Sequence, residues 1–163
     1  MKMKKCGFLL VALALVMALF TGCNSGQGEA EVKPNQSIGD IMASMVQEST
    51  IPMAAEVDDT MLQEFFHIDP ADTASYAGQF AQVNISSANL IIVEAKDSSK
   101  VETIQEALKK RQEDVMLSFE MYLSDQYEIA KNAKIITKGN YVALLMVEEV
   151  DKAEEMFNAA FES

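Results

Sequence analysis

Few side chains in this sequence could carry covalent or metal chemistry, because its 163 residues include one histidine and two cysteines. A catalytic histidine needs a nucleophile or a metal partner, and no serine here has the sequence context of an activated nucleophile. The sequence also lacks paired Cys and His metal spacing and a glycine-rich phosphate loop. We therefore interpret His67 as the end of a helix, where an imidazolium suits the helix dipole.

Two groups of acidic residues are the remaining candidates for chemistry. Asp69 and Asp72 share a predicted turn, and Glu148, Glu149 and Asp151 precede the predicted last helix. Ca²⁺ takes about six to eight oxygen ligands, and neither group offers that many at regular spacing. The helix dipole alone favours acids at helix N-termini. We expect these residues to serve as caps, and the sequence predicts no metal site and no cofactor.

The sequence contains eleven methionines, an unusual number. Most fall on predicted apolar faces, where packing in the core is the favoured interpretation. The alternative is that Met42, Met45 and Met61, on two N-terminal helices, line an adaptable groove for a partner or an apolar ligand. Among the tyrosines, Tyr127 is the best candidate for an exposed ring that contacts a ligand.

Residues 1–22 have the three zones of a signal peptide. The first five residues include three lysines and no acid, and residues 6–20 form an apolar run interrupted by one glycine. A basic start, a short apolar stretch and small residues at the cleavage site are typical of secreted proteins. The apolar run is shorter than the roughly 20 residues that a transmembrane helix needs.

The cleavage zone, Leu-Phe-Thr-Gly-Cys at residues 19–23, resembles the lipobox of bacterial lipoproteins, with phenylalanine where leucine is usual. This resemblance implies that the Cys23 thiol receives a diacylglyceryl group and that a peptidase cuts just before it. Two acyl chains anchor a protein stably, whereas a single chain binds reversibly. We expect a lipid-anchored chain on the extracytoplasmic side of the cell membrane.

The charge of the chain limits its partners. Cleavage before Cys23 would remove three lysines and no acid, which takes the net charge from −12 to −15. This balance argues against nucleic acid, whose binding depends on Lys and Arg, and against close contact with anionic lipid headgroups. Because the cysteines are Cys6 and Cys23, the folded part would have no thiol, and its stability would depend on a hydrophobic core.

The remaining sequence divides into a tether and one domain. Residues 23–36 are predicted to be the lipidated cysteine and a polar, flexible tether. Residues 37–163 are enough for one domain with its own core. Polar caps at Ser37 and at Asp58 or Asp59 predict two short helices at the start of this domain.

The apolar period then changes from helical to alternating. Alternation predicts a half-buried strand first, and a run that is apolar on both faces predicts a central strand after it. Gly139 and Asn140 stand between two further apolar runs, which is a strong hairpin signal. The predicted strands cover residues 81–86, 90–95, 133–137 and 141–147.

A long helix over residues 100–123 separates the two hairpins, and a last helix covers residues 151–161. The long helix has an apolar stripe that is predicted to be buried. The stripe consists of Val101, Ile104, Leu108, Val115, Phe119 and Tyr122. The order β-β-α-β-β-α after the N-terminal helices predicts an α+β fold, with a small antiparallel sheet built from two hairpins and helices packed on one face.

Several short strings in this domain resemble one family of bacterial lipoproteins. The strings are Phe66–Pro70, Ala95–Asp97, Ser118–Glu120, Asp125–Glu128 and Thr137–Val142. The family is the domain of unknown function 4358 family, and the resemblance covers roughly residues 38–161. It implies a lipobox, a tether and one such domain, and it transfers no catalytic residue because the family has no established activity. Met121 and Ser124 depart from its glycine and proline, which predicts a slightly longer central helix here.

Three classes of function are compatible with this sequence. Missing catalytic groups favour a non-enzymatic interaction or accessory module held at the membrane. The acidic surface and methionine-rich faces favour the alternative, a small-ligand or cation-binding lipoprotein associated with transport or sensing. A cell-wall hydrolase would need a buried carboxylate pair such as Asp69 with Glu94. A deep polar pocket with convergent acids would favour the second or third class, and a flat surface would favour the first.

Overall fold

A computed structural model describes residues 32–162 of the chain. The predicted signal peptide, Cys23 and most of the predicted tether therefore lie outside the described residues. Among the residues that are described, no helix is long and apolar enough to cross a membrane.

The centre of the domain is a five-stranded sheet in the order β1-β2-β3-β5-β4, with every neighbouring pair antiparallel. The strands are β1 (Ala54–Glu56), β2 (Thr73–Ala81), β3 (Asn89–Ala95), β4 (Lys134–Lys138) and β5 (Tyr141–Met146). Two hairpins, β2–β3 and β4–β5, supply four of these strands, so the predicted antiparallel α+β sheet is confirmed, although the first hairpin begins with an earlier strand than predicted. Gly139 turns the second hairpin with a φ of 56°, a conformation that glycine adopts without steric cost.

Five helices pack on this sheet, and two short 3₁₀ turns connect them to the strands. The helices are α1 (Ile38–Gln47), α2 (Asp59–Glu64), α3 (Val101–Phe119), α4 (Ser124–Lys131) and α5 (Val150–Ala159), and the turns are Pro70–Asp72 and Ser98–Lys100. Ser37 and Asp58 accept hydrogen bonds from backbone amides in the first turns of α1 and α2, as the sequence predicted.

Both faces of the sheet are covered, which corrects the expectation of helices on one face. One face, here called the α3 face, packs its strand residues against α2, α3 and α4; these strand residues are Ile91, Val93, Val142, Leu144 and Met146. The other face, the α5 face, packs against α1 and α5; its strand residues are Leu90, Ile92, Tyr141, Ala143 and Leu145. Since β3 and β5 are buried on both sides, their sequences are continuously apolar rather than alternating.

The first strand of the first hairpin lies earlier than the sequence predicted. Residues 82–88 form a turn and irregular structure, and β2 occupies residues 73–81 instead. The apolar alternation of Val83 and Ile85 therefore reflects a loop, in which Ile85 is 59% exposed. The true strand was missed because Gly78 interrupts its pattern, and the three-residue β1 is too short to give a pattern at all.

Gly78 is required by the packing of β2. A Cβ at this position would lie 2.9 Å from the side chains of Ile91 and Val57 and from the carbonyl oxygen of Leu90. The neighbouring strand and the Val57 side chain fill the space that a larger residue would need. The residue that obscured the strand in the sequence therefore lets β2 pack tightly on the α3 face.

The central helix is shorter than predicted. It ends at Phe119, and a separate helix, α4, begins at Ser124. Tyr122, predicted to be buried, lies between the two helices and is 62% exposed. Gln112 holds α4 against α3 by donating from Nε2 to the carbonyl oxygen of Ala130 over 2.9 Å.

The last residues of the predicted tether contact the folded part. The backbone N–H of Asn35 donates to the carbonyl oxygen of Ala160 over 2.7 Å, just after α5. Val32 lies so close to the second hairpin that a Cβ on Gly139 would be 2.8 Å from the Val32 Cβ. Residues 32–36 therefore lie along the domain beside the end of α5 and the β4–β5 turn.

Candidate ligand-binding site

The candidate site is built around Arg111, in the middle of α3. Its Nε and Nη2 atoms both donate to Oδ1 of Asn89, over 3.1 and 2.9 Å. Asn89 is the first residue of β3 and faces α3, because it alternates with Leu90 and aligns with Ile91. The bond therefore ties the central helix to the start of a central strand.

Aromatic rings at the end of α2 support the guanidinium. Its central carbon lies 5.2 Å from the ring centre of Phe66 and 5.7 Å from that of Phe65. Both rings also pack on Phe80 of β2, with centroids 6.3 and 5.9 Å apart. Cation–π contacts with a packed group of rings hold the arginine in one place.

A buried polar network continues from Asn89 into the 82–88 loop. The buried polar residues in the described part of the chain are Ser87 and Asn89, at 1% and 3% exposure. Asn89 Nδ2 donates to the carbonyl oxygen of Ser87, and the Ser87 backbone N–H and hydroxyl both donate to Oε1 of Gln126 on α4. Because each buried group has its partner, this network fixes the loop beside Arg111.

Arg111 has no carboxylate within ion-pair distance among the residues of the described range. Burial lowers the pKa of its guanidinium, and the negative charge of Asp114 only partly opposes this effect. Burying a charge costs free energy unless a counter-charge compensates. The neutral Asn89 amide supplies hydrogen bonds here without supplying that counter-charge.

Asp114, one turn further along α3, is already engaged by two other residues. His67 Nε2 donates to its Oδ2 over 2.6 Å, and Lys110 Nζ lies 3.3 Å from its Oδ1. The hydrogen bond from His67 holds the pKa of the Asp114 carboxyl below its ordinary value. This carboxylate therefore contacts His67 and Lys110, and it acts on Arg111 only at longer range.

His67 follows α2, as predicted. The sequence suggested that its side chain would interact with the helix dipole, but the structure shows a different role. Its φ is 60°, in the left-handed region, and the next residue, Ile68, donates its N–H to the carbonyl oxygen of Leu62. This is how a glycine or asparagine commonly closes a helix. The imidazole that occupies this position instead reaches across to Asp114.

A cavity of about 370 Å³ opens beside Arg111, between α3 and the 82–88 loop. We call it the Arg111 cavity. Its polar lining residues are Asn84, Ser86, Asn89, Arg111, Ser118 and Tyr122. Its larger apolar lining residues are Val83, Val115 and Phe119, and no acidic residue lines it. A concave site with apolar walls and a few placed polar groups is the usual form of a small-molecule pocket.

The methionines proposed for a groove do not come together. Met42 and Met45 are 4% and 0% exposed, within the core of the α5 face. Met61 is half-buried and packs on the opposite side of the sheet, against the core of the α3 face. Core packing accounts for all three, as the favoured interpretation held.

Tyr127 lies on α4 and is half-buried rather than fully exposed. Its ring lines a smaller groove of about 270 Å³ with Met116 and Leu117 of α3. The ammonium group of Lys131 lies 5.8 Å from its ring centre. Tyr127 is therefore accessible to a ligand from this groove, although the preceding residue, Gln126, belongs to the network around Arg111.

Three of the acidic residues weighed for chemistry have local partners in the structure. Asp69 accepts from the Ala71 N–H, and Asp72 pairs with Lys100 over 2.7 Å. Glu94 accepts from the hydroxyl groups of Ser75 and Tyr141, over 2.6 and 2.9 Å. Within residues 32–162, no group of three or more His, Cys, Asp or Glu side chains is placed to hold a metal ion.

The site around Arg111 was missed in the sequence, although a signal for it exists. The buried stripe of α3 includes Leu108 and Val115, and Arg111 occupies the position between them at helical spacing. Asn89 similarly occupies an inward position of β3 before an apolar run. A polar residue within one apolar pattern and at the start of the other was the available clue, but neither pattern alone says that the two residues meet.

The fold and the site together describe an α+β domain. It has helices on both faces of an antiparallel sheet and a cavity at a partly buried arginine. A family model described as Domain of unknown function (DUF4358) matches residues 47–147, more than half of the chain. The chain therefore belongs to this family, as the resemblance in the sequence implied. No curated protein and no solved structure matches the chain significantly.

Proposed function

We propose that this chain is a membrane-anchored extracytoplasmic lipoprotein whose folded part is a non-enzymatic binding module for a small ligand. Of the two binding functions expected from the sequence, the small-ligand alternative is now the favoured one. The observation that carries this choice is the Arg111 cavity, because one of its lining residues is a partly buried cation that makes no ion pair with a carboxylate.

The absence of acids from the cavity distinguishes the possible ligands. A cation would need oxygen ligands such as carboxylates, and none lines the Arg111 cavity. Hydrolysis by a carboxylate pair would also need acids that converge on a pocket. The composition of the lining therefore supports ligand binding over both cation binding and that form of catalysis.

The binding function is tested by screening a set of small fragments of mixed charge against the purified full chain in a non-ionic detergent. Saturation-transfer NMR, which follows the fragments' own signals, detects weak binders. Ser118→Phe places a large ring in the cavity from an exposed position of α3. Ala43→Phe introduces the same ring at an exposed position of α1, on the other side of the sheet.

We expect some fragments to bind the wild-type chain and Ala43→Phe but not Ser118→Phe. A chain whose fragment profile is the same in both variants has no functional cavity at Arg111, and the proposed function would then be wrong.

The membrane anchor is tested separately, in cells that grow with labelled palmitate. The wild-type chain should carry the label and sediment with membranes, because two acyl chains give stable attachment. Cys23→Ser should be unlabelled, while Cys6→Ser, within the apolar run, should remain labelled. A Cys23→Ser chain that is processed and still membrane-bound would refute the anchor.

A further inference from the structure

We propose that the Arg111 cavity binds the carboxylate group of a small, singly charged organic anion, whose apolar body lies against Val83, Val115 and Phe119. This inference rests on the proposed ligand-binding function and names the chemical class of its ligand. Four features of the cavity point to this class: the geometry of the arginine, its charge, the lining and the total charge of the chain.

The guanidinium offers a carboxylate one of its two double-donor edges. Asn89 occupies the edge formed by Nε and Nη2, because both atoms donate to the same oxygen. Nη1 makes no hydrogen bond to any residue within 32–162, so the edge formed by Nη1 and Nη2 remains for a ligand. Two parallel N–H donors match the two oxygens of a carboxylate.

A carboxylate would also provide the counter-charge that Arg111 lacks. The nearest acid on α3, Asp114, is held by His67 and Lys110, and Asn89 is neutral. Desolvation of an unpaired cation is costly, and an anion placed against it in the same site recovers part of that cost. The rings of Phe65 and Phe66 keep the guanidinium from moving out to pair with acids elsewhere.

The rest of the lining suits the other parts of such a ligand. Ser86 Oγ accepts from the Ala88 N–H, so its hydroxyl hydrogen remains to donate to a ligand oxygen. Val83, Val115 and Phe119 form an apolar wall that a purely ionic ligand would not use. A carboxylate joined to an apolar body would satisfy both parts of the cavity at once.

The total charge of the chain favours a single negative charge on the ligand. The sequence has 25 acidic against 13 basic residues, so an approaching anion is repelled by the net negative charge of the chain. Each further charge on an anion increases the repulsion that it meets on approach, while one arginine can compensate only one charge. A carboxylate monoanion is therefore preferred over a phosphate dianion.

Matched probes test the charge requirement without any change to the protein. Phenylacetate and hexanoate are titrated against the full chain in a non-ionic detergent at neutral pH, alongside phenylacetamide, hexanamide and inorganic phosphate. Saturation-transfer NMR gives the dissociation constants of the organic probes, and phosphate is assayed as a competitor of phenylacetate. Each amide keeps the shape of its acid and loses the charge.

We expect both carboxylates to bind at millimolar concentration or below, and their amides to bind at least about tenfold more weakly, as expected when a hydrogen-bonded charge is removed. Phosphate should compete poorly. Ser118→Phe should abolish carboxylate binding, and Ala43→Phe should leave it unchanged.

Arg111 is then tested by two substitutions. Arg111→Met should remove the preference for the acid over its amide. Because this change also removes packing on Phe66, Arg111→Lys provides the second test: it keeps the charge but loses the double-donor edge, and should weaken carboxylate binding severalfold.

The inference is overturned if an amide binds as tightly as its acid, if phosphate competes as well as a carboxylate, or if neither carboxylate binds. In these cases, binding of neutral or cationic fragments that Ser118→Phe removes would leave the proposed function standing. If no fragment binds in a way that depends on the cavity, both the carboxylate inference and the proposed ligand-binding function are wrong.

Discussion

The two faces of the sheet share the central strands β3 and β5, yet they differ in the polarity of the residues that pack on them. On the α5 face, apolar residues of β3 and β5 meet the apolar sides of α1 and α5. The α3 face has a comparable core, but one position of its long helix is Arg111 and one inward strand position is Asn89. Two polar residues therefore meet within the packed α3 face, and both line the Arg111 cavity.

The comparison also shows where polar groups can be placed at low cost. The α5 face keeps its polar group, Glu94, at the far end of β3, where Ser75 and Tyr141 hydrogen-bond to it. The α3 face keeps Asn89 fully buried at the near end and needs the Ser87–Gln126 network to satisfy it. The more demanding arrangement is therefore the one beside the cavity.

Truncating one fully buried phenylalanine on each face should separate stability from binding. Phe66→Ala and Phe157→Ala should each lower the free energy of unfolding by about 3–5 kcal/mol, because both rings are completely buried. Urea denaturation measures this effect. Only Phe66→Ala removes a ring that supports Arg111, so only this variant should weaken carboxylate binding in its folded form. Equal loss of binding in both variants would contradict the separation of the two faces.

Asn89→Ala should lower the free energy of unfolding by about 1.5–3 kcal/mol, since it removes two hydrogen bonds to a charged, partly buried group. The same change in an Arg111→Met background should cost less, which a double-mutant cycle measures. Ser75→Ala, which removes a hydrogen bond to Glu94 on the α5 face, is the comparison and should cost less than Asn89→Ala. Additive effects of Asn89→Ala and Arg111→Met would show that the pair is not coupled.

Gly78→Ala should destabilise the chain by about 1–3 kcal/mol, because the added methyl group would overlap Ile91, Val57 and the Leu90 carbonyl. Gly39→Ala in α1, on the α5 face, should have the opposite sign, since its nearest neighbour would be Ser37 Oγ at 3.7 Å and alanine favours a helix. Thermal unfolding of the two variants checks both signs. A stabilised Gly78→Ala would mean that β2 packs less tightly than described.

The contact between His67 and Asp114 should make the α3 face sensitive to acid. The folded-state pKa of Asp114 lies below its ordinary value of 3.8, so its contribution to stability is present above that pH. That contribution is lost as the pH falls through the folded-state pKa. The effect should be small because the Asp114 side chain is 40% exposed.

Denaturant unfolding of the wild-type chain and Asp114→Asn between pH 2 and 6 measures this loss. The wild-type stability should fall towards that of Asp114→Asn as the pH decreases below about 4. His67→Asn places at this position a residue that tolerates the left-handed backbone. In the His67→Asn background, Asp114→Asn should change the pH dependence of stability much less than it does in the wild type. Parallel stability curves for the wild type and Asp114→Asn would contradict a lowered pKa.

Much of the fold could be read from local patterns. The Gly139–Asn140 turn, the apolar run of β3 and the helical stripes of α1, α3 and α5 each follow from the spacing of neighbouring residues, and all are present. The predicted elements were wrong where a strand was too short to give a pattern, or where apolar residues alternated for a reason other than strand formation. Val83 and Ile85 alternate like strand residues, but Val83 lines the cavity and Ile85 is exposed.

The candidate site could not be predicted because it depends on contacts between distant parts of the chain. Arg111 and Asn89 are 22 residues apart, and His67 and Asp114 are 47 apart. Periodicity places each residue on a face of its own element but does not say which elements face each other. The groove of methionines failed for the same reason, since Met45 and Met61 lie on opposite sides of the sheet.

The sequence by itself determined the second hairpin, the helical stripes, the family and the strong acidity of the chain, because these depend on composition and on neighbours along the backbone. It also predicts the anchor at Cys23, which remains to be tested. Only the tertiary structure decided that helices cover both faces of the sheet and that Arg111 meets Asn89 rather than a carboxylate. The physical reason is that the cost of burying a charge depends on what surrounds it in space, and those surroundings come from several separate segments of the chain.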